Sequence, residues 1–263
     1  MPRIALGLEY DGARFAGWQR QLGLTTVQGA VEQALECVAD HTVSCTVAGR
    51  TDAGVHAAAQ VIHFDSDAPR TLRNWRLGAN SYLPATVSVL WAEVVPVEFH
   101  ARFSALARTY RYLILNRNSR SALAAGRATW IHRPIDAALM HTAAQGLVGE
   151  HDFTSFRALA CQSRSPIRRV ERIAVVRRGD WIEVTVTANA FLQHMVRNIV
   201  GLLVSVGWGD SPIERVAEVL AARDRTQNAA TAPPEGLYLI GVRYPPEFDL
   251  PATAAPGLHA GWF

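Results

Sequence analysis

The sequence predicts an α+β protein built from two units in tandem. Two observations support this prediction. Strand-like and helix-like segments follow one another in the same order in each half of the 263 residues. The hydrophobic content of 49% is also ample for a packed core, and it suits one large domain or two small ones.

The first half contains four predicted strands and two predicted helices. The first helix runs from Thr25 or Thr26 to about residue 39, since a hydroxyl precedes apolar residues spaced three and four apart. The second helix spans about 71–81 and is ended by Pro84. The strands are predicted at 4–10, 43–47, 60–64 and 87–95. This strand-helix-strand-strand-helix-strand order is the split βαβ pattern of ferredoxin-like units.

The second half repeats that order. A strand is predicted at 107–115, a helix at 136–148 after the capping Asp136, and a hairpin of strands 169–177 and 181–187 around Gly179. Two more helices, at 191–206 and 212–222, precede a last strand at 237–243. Segments 116–130 and 151–166 are predicted to be turns and loop.

These elements give a first unit at 1–104, a second at 105–245, and a tail at 246–263 that is rich in Pro, Ala and Gly and expected to be loosely ordered. Two such units side by side would form one broad, mostly antiparallel sheet with helices on one face. A cleft between the units is then expected, and ligand sites favour clefts of this kind.

The charge is unevenly distributed along the chain. The net charge is +3, and every basic residue is arginine. Residues 106–190 carry 13 Arg and 6 acidic residues, a balance of +7, whereas the segments on either side are each at −2. An arginine-rich middle third indicates a polyanionic partner, because guanidinium groups suit phosphate. The alternative is a solvated face in a protein whose composition simply favours arginine.

Cysteine usage and hydropathy narrow the class of protein. Cys37, Cys45 and Cys161 form no CxxC pair, so neither a disulfide framework nor a zinc site is indicated. No apolar run reaches the roughly 18 residues needed to span a bilayer. The first residues lack a signal-peptide pattern and lead directly into a strand. A soluble cytoplasmic protein without a membrane partner is therefore expected.

The stretch from Ala48 to Ala57 is the densest in reactive groups. It lies between two strand-like runs and carries Arg50, Thr51, Asp52 and His56 between apolar neighbours. Polar loops held by strands are common places for sites. Asp52 has two interpretations: an ordinary turn former that bonds its own backbone, or a catalytic carboxylate with Arg50 as its neighbour or as a phosphate clamp. His56 is expected to be structural.

This stretch resembles the signature of the tRNA pseudouridine synthase A (TruA) family. Three other segments agree with the family in order and spacing, and the resemblance covers roughly residues 3 to 244. They are Tyr10-Asp11-Gly12 with Phe15-Ala16-Gly17-Trp18-Gln19, then Arg108-Thr109-Tyr110-Arg111-Tyr112, then Phe191 to Gly201 in the order Phe-Leu-Gln-His-Met-Val-Arg-Asn-Ile-Val-Gly.

The resemblance implies an enzyme that isomerises uridine to pseudouridine at positions 38 to 40 of the tRNA anticodon stem-loop. The family needs no cofactor, since the reaction involves neither redox change nor a group donor. Family members resemble homodimers. Asp52 would be the catalyst, Arg197 the guanidinium that keeps it charged, and Tyr110 a ring that stacks on the target base with a hydroxyl positioned for proton movement.

The residues themselves leave alternatives open for two of these roles. A strand tyrosine such as Tyr110 usually packs in a core. Arg197 could face solvent, but its neighbours in the helix are almost all apolar, and an arginine in such a segment needs an anion. Tyr112, on the same strand face as Tyr110, is expected to be structural.

Three further polar residues are candidates for binding the substrate. Arg50 would hold a phosphate or stabilise the flipped nucleotide, because a base in a stem must leave its stack to react. Arg14 and Gln19, in a loop that looks exposed, are candidates for contacts with the RNA backbone. No metal site is expected, since the nine His show no HExxH-like pair beside an acid.

Two other functions compete with this interpretation. Ferredoxin-like units with a basic surface also serve as non-catalytic RNA-binding modules. A glycoside hydrolase would break a similar bond, but that chemistry normally needs two flanking carboxylates, and the signature loop supplies one.

Overall fold

The structure is a computed structural model, and it describes residues 1–251. The chain divides into two compact units. The first comprises Met1–Arg108 with the described residues from Tyr238 onward, and the second comprises Thr109–Leu237. Each unit combines strands with helices, in keeping with the predicted mixture of the two.

The first unit begins with six regular elements in chain order. The apolar face of the long helix is buried, and its start is capped by the Thr26 hydroxyl, which accepts from the Gly29 amide at 3.3 Å. The elements are β1 (Arg3–Tyr10), α1 (Val27–Ala39), β2 (Thr46–Val47), β3 (His56–Asp65), α2 (Ala79–Tyr82) and β4 (Val87–Val95).

The strands of this unit pair in the order β4-β1-β3, with β2 on β3, and all of these pairs are antiparallel. The register joins Ile4 to Phe64 and to Val94. The predicted strand at 43–47 pairs only at its last two residues. The strand predicted at 60–64 begins earlier, at His56, so the end of the signature stretch belongs to β3.

The helix predicted at 71–81 is divided in two. Residues Asn74–Gly78 form a π-helical turn, and the α-helical turn α2 follows it directly. Gly78 allows a close approach to α1, since a β-carbon there would lie 3.0 Å from a methyl of Val38. The helix ends at Tyr82, and its C-cap Leu83, the residue before Pro84, is extended, as the proline predicts.

The second unit contains most of the remaining elements. They are β5 (Ala107–Asn116), which starts at the end of the first unit, then β6 (Thr129–Ile131), α3 (Ala137–Ala144), β7 (Gly149–Asp152), β8 (Ile167–Arg178), β9 (Trp181–Ala188), α4 (Met195–Gly207) and α5 (Arg215–Ala222). The strand order is β5-β9-β8-β7, with β6 parallel to β5. The predicted hairpin is present, and Gly179 has a φ of 59° at its turn.

Two short strands and three helix boundaries differ from the predictions, and one of these boundaries is the start of the helix predicted at 212–222, which begins at Arg215. The strands β6 and β7 overlap the ends of the segments predicted to be turn and loop, and both have too few alternating residues to be recognised. The helix predicted from residue 191 begins at Met195, because His194 has a left-handed φ of 62°. The helix predicted at 136–148 ends as α-helix at Ala144 and continues as the 3-10 turn Gln145–Leu147.

The last strand, β10 (Leu237–Arg243), groups almost entirely with the first unit, whereas the sequence placed it in the second. It pairs in parallel with β3, joining Tyr238 to His56 and Leu239 to Ala57. Such pairing of distant segments has no local signal in the sequence.

The predicted tail starts with a short ordered element. Pro246–Phe248 form a 3-10 turn, and the ring of Phe248 lies 5.2 Å from that of Phe99. The rest of the predicted tail, from residue 252, lies outside the described residues. Among residues 1–251, each helix is too short or too polar to cross a membrane.

Candidate active site

Asp52 lies in the loop 48–55 that joins β2 to β3. The loop ends in a tight turn, in which the Val55 amide donates to the carbonyl of Asp52 at 3.1 Å. Gly54 has a φ of 77° in this turn, a conformation that glycine adopts without strain. Thr51 is buried, Asp52 is half-buried and Arg50 is exposed. Asp52 therefore takes part in a turn while part of its side chain remains accessible.

The residues before Asp52 are hydrogen-bonded to buried side chains. The Gln60 Nε2 donates to the carbonyl of Gly49 at 2.8 Å, and the hydroxyls of Tyr10 and Thr51 are 2.8 Å apart. The Nη2 of Arg108 donates to the carbonyl of Ala48 at 2.9 Å. Sequence reasoning did not single out these interactions, because they join residues 11 to 60 positions apart.

The segment from Gly12 to Trp18 packs against the Asp52 loop. The Trp18 amide donates to the carbonyl of Thr51 at 2.9 Å, and Gly54 donates to Phe15 at 3.3 Å. A β-carbon at Gly12 would lie only 2.0 Å from the carbonyl oxygen of Val55. The glycines in this first motif are therefore needed for its backbone to reach the Asp52 loop.

The three candidate RNA-binding residues of this unit lie in these two segments or next to them: Arg14 in the segment, Gln19 directly after it, and Arg50 in the Asp52 loop. Arg14 and Arg50 are exposed, and Gln19 is half-buried next to the buried Trp18. Their roles in binding stay predictions.

His56 is placed as a structural residue. It is buried at the start of β3, where its Nδ1 accepts from the Gly12 amide at 3.0 Å and its ring stacks on Tyr238 at 4.6 Å. These contacts join the first motif, the signature stretch and β10.

Tyr110 lies on β5, in the second unit. Its ring meets Phe191 edge to face, with centroids 5.0 Å apart, and only 7% of the residue is exposed. Tyr112, two residues further, is fully buried; its hydroxyl donates to the carbonyl of Pro233 at 2.8 Å and lies 2.6 Å from the Thr129 hydroxyl. The two tyrosines thus differ: Tyr112 is held by the core, whereas Tyr110 packs on a half-buried aromatic ring.

Arg197 lies in the first turn of α4 and is half-buried. Its Nε donates to the carbonyl of Ala232 at 2.7 Å, and the Ala232 amide donates back to the Arg197 carbonyl at 3.1 Å. One turn later, a β-carbon at Gly201 would lie 1.9 Å from the carbonyl oxygen of Ala230. The segment 230–232 therefore lies directly across α4 and orients the Arg197 side chain.

Asn198, next to Arg197, is a buried residue that the sequence analysis passed over. Its amide donates to the carbonyl of Phe156 at 2.7 Å, and its oxygen accepts from Thr231 at 2.6 Å and from Arg225 at 3.1 Å. An asparagine within a largely apolar helix was the available signal, since buried amides need partners. These bonds fix the segment that contacts Arg197.

The candidate residues are divided between the two units. Asp52, Arg50, Arg14 and Gln19 belong to the first, and Tyr110 and Arg197 to the second. The meeting of Asp52 with Tyr110 and Arg197 stays a prediction. Within residues 1–251, no three His, Cys, Asp or Glu side chains are arranged to hold a metal ion.

Comparison with known proteins identifies the family. A family model described as tRNA pseudouridine synthase matches residues 8–104 and 143–245, which include Asp52 and Arg197 but not Tyr110. The tRNA pseudouridine synthase A of Nitrosococcus oceani is 55% identical over 254 residues, covering 97% of this chain and 98% of that protein. Those of Methylococcus capsulatus and Pseudomonas aeruginosa are 56% and 54% identical over 252 and 250 residues, covering 96% and 95% of this chain and 93% and 88% of theirs. The resemblance seen in the four motifs is thereby confirmed, and the chain belongs to the tRNA pseudouridine synthase family.

Proposed function

We propose that this protein isomerises uridine to pseudouridine in tRNA, at positions 38 to 40 of the anticodon stem-loop. This proposal depends on membership of the family. The relative from Nitrosococcus oceani is 55% identical in sequence over 97% of this chain. The geometry of the first unit supports it, because Asp52 lies partly exposed on a loop whose backbone is fixed on several sides.

The reaction exchanges one bond of the base for another. The N1–C1′ glycosidic bond breaks, the uracil turns, and a C5–C1′ bond forms. C5 loses a proton and N1 ends the reaction with one, so atoms and electrons balance without a cofactor. A carboxylate such as Asp52 can add to C1′ or to the uracil ring, or can remove the proton.

The proposal gives Arg197 and Tyr110 roles around Asp52. A carboxylate in a partly dry site needs a cationic partner to stay ionised, and Arg197 is assigned that role. Its Nε bond to Ala232 limits the rotation of the guanidinium and supports a fixed orientation. The Tyr110 ring stacks on the target base, and its packing against Phe191 supports a fixed ring plane.

The proposal also includes the arrangement of the two units, the oligomeric state and the cellular compartment. Two ferredoxin-like units form a cleft in which Asp52 meets Arg197 and Tyr110, and the extruded uridine enters that cleft. Arg50 stabilises the flipped nucleotide or its phosphate, and Arg14 and Gln19 contact the RNA backbone. The enzyme acts as a homodimer in the cytoplasm. Resemblance to the family supports the dimer, and sedimentation of the purified protein would test it.

The direct test is to treat unmodified tRNA with the purified protein and to map pseudouridine by mass spectrometry or primer extension. We expect product at positions 38 to 40. Asp52→Asn keeps the size of the side chain but removes the carboxylate, so it should abolish product and preserve tRNA binding. Asp67→Asn, which removes an exposed carboxylate of the same unit, serves as the matched control and should retain product.

Three results would contradict the proposal. Release of free uracil would indicate a hydrolase, and binding without any product would indicate an RNA-binding module. Conversion by the Asp52→Asn variant at a near-normal rate would remove Asp52 from its assigned role.

A further inference from the structure

Three buried polar side chains of the first unit contact residues 48, 49 and 51 of the Asp52 loop. Arg108 donates through Nη2 and Nε to the carbonyl of Ala48, at 2.9 and 3.3 Å. Gln60, which is fully buried, donates to the next carbonyl, that of Gly49. The Tyr10 hydroxyl contacts the hydroxyl of Thr51, the residue before Asp52. We refer to Tyr10, Gln60 and Arg108 as the loop clamp.

Two members of the loop clamp are hydrogen-bonded to each other. Gln60 Nε2 also donates to the Tyr10 hydroxyl oxygen at 3.2 Å, and the same hydroxyl shares a hydrogen bond with the Thr51 hydroxyl. Burial raises the pKa of Tyr10 to about 12, so the hydroxyl keeps its proton at neutral pH. Because the Tyr10 hydroxyl and the Gln60 amide are both removed from water, loss of the Tyr10 hydroxyl would leave the Gln60 and Thr51 groups that contact it without that partner.

Arg108 connects the loop to a turn of the same unit. Only 8% of this residue is exposed, and its guanidinium also donates to the carbonyls of Ala105, at 3.0 Å, and Arg102. The planar guanidinium reaches these carbonyls from several nitrogens at once, an arrangement that the single ammonium of lysine cannot reproduce. A charged group is costly to bury, and here it is matched to backbone carbonyls, one in the loop and two in the turn.

We infer that Tyr10, Gln60 and Arg108 are positioning residues for the reaction at Asp52, an inference that rests on the proposed function. They bind the loop at residues 48, 49 and 51, while the side chains of Arg50 and Asp52 keep access to the surface. Catalysis depends steeply on such placement, since an error of about 1 Å can cost about a hundredfold in rate.

The test uses two conservative variants. Tyr10→Phe removes one hydroxyl. Arg108→Lys keeps the charge but removes the planar guanidinium, whose several N–H groups donate to separate carbonyls. For both we expect kcat for pseudouridine formation to fall at least about tenfold, with KM and tRNA affinity within about twofold. We also expect faster hydrogen exchange at the amides of Trp18, Gly54 and Val55, which the loop contacts protect.

Asn80→Ala is the matched control. Asn80 donates to and accepts from the backbone of Val89, at 2.9 and 2.7 Å, so its loss removes two partly buried bonds in the same unit away from the loop. This variant should change neither kcat nor exchange at the loop amides. Tyr10→Phe alters so little volume that it decides the question even if Arg108→Lys does not fold.

The inference is overturned if kcat or loop exchange is unchanged in Tyr10→Phe, or if Asn80→Ala lowers kcat as much as the clamp variants do. Absence of pseudouridine with the unaltered protein would instead reject the proposed function. The exchange measurement would then still decide whether these residues hold the loop.

Discussion

Gly17 lies so close to Thr51 that a β-carbon on the glycine would be 2.8 Å from the Thr51 carbonyl oxygen. Gly17 also has a φ of 91°, a conformation that L side chains rarely adopt. Two independent constraints therefore coincide at one residue of the first motif. The close contact is with the backbone that immediately precedes Asp52, and the positive φ is that of Gly17 itself.

Gly17→Ala should consequently cost more than a glycine substitution that is only conformationally strained. The positive φ alone costs about 1 kcal/mol or more, and the contact with Thr51 adds an overpacking cost of about 1–3 kcal/mol. Gly23→Ala is the matched control, since Gly23 has a φ of 74° and no neighbouring atom within 4 Å of the added carbon. Urea denaturation measures both, and equal losses of unfolding free energy would contradict the argument.

The Gly17 contact illustrates which part of the site could be predicted from the sequence. The motifs located Asp52 and its loop, because each motif is a local pattern of residue types. The contact of Gly17 with Thr51 crosses 34 positions, and the Arg108 bond to Ala48 crosses 60. Such contacts depend on tertiary packing, which periodicity does not record, so the loop clamp was not predicted.

In the fold, too, local features were predicted from the sequence, whereas contacts between distant segments were not. The α1 helix was predicted closely, because the Thr26 cap and the apolar stripe are local signals. The strand expected at 43–47 pairs only at Thr46–Val47, and β10 pairs with the distant β3. The extent and the pairing of these strands depend on their partner strands, which a local pattern does not reveal. The start of α4 was missed because His194, a residue type without a strong preference, takes a left-handed conformation there.

Tyr110 provides a test of the two functions assigned to one side chain. Tyr110→Phe keeps the ring that packs against Phe191 and removes only the hydroxyl. If that hydroxyl takes part in proton movement, kcat should fall by about 10²- to 10⁴-fold, with tRNA affinity nearly unchanged. Tyr110→Ala should lower affinity as well, because the stacking surface is lost.

Single-turnover rates and filter binding on the same preparations would separate these effects. If Tyr110→Phe matched the rate of the unaltered protein, the hydroxyl would have no part in proton movement. The ring would then act through stacking alone.

Arg14 is expected to contribute to binding through charge. Arg14 is exposed and lies in the segment that is hydrogen-bonded to the Asp52 loop, so Arg14→Gln should weaken tRNA binding and lower the salt slope of the binding constant by about one. Arg76→Gln, another exposed arginine of the first unit, is the control and should leave the slope unchanged. Titrations at several salt concentrations give both slopes, and equal slopes for the two variants would refute a phosphate contact.

His63 should make the stability of the first unit depend on pH. It accepts a hydrogen bond from the Ala101 amide at 3.1 Å, and its ring lies 5.0 Å from that of His100. Burial, followed by the positive charges of Arg3 and His100, lowers the pKa of His63 from 6.5 to about 4, against a smaller opposing effect of Asp65. The folded protein thus favours the neutral imidazole.

The unfolded chain binds this proton near pH 6.5, whereas the folded protein binds it only near pH 4, so the stability from His63 is fully present above pH 6.5. It is lost as the pH falls from about 6.5 to 4. His63→Asn keeps an acceptor for the Ala101 amide without the titration. Its unfolding free energy should therefore decline less steeply over that range, as urea denaturation at successive pH values would show, and an unchanged slope would assign the acid sensitivity to other groups.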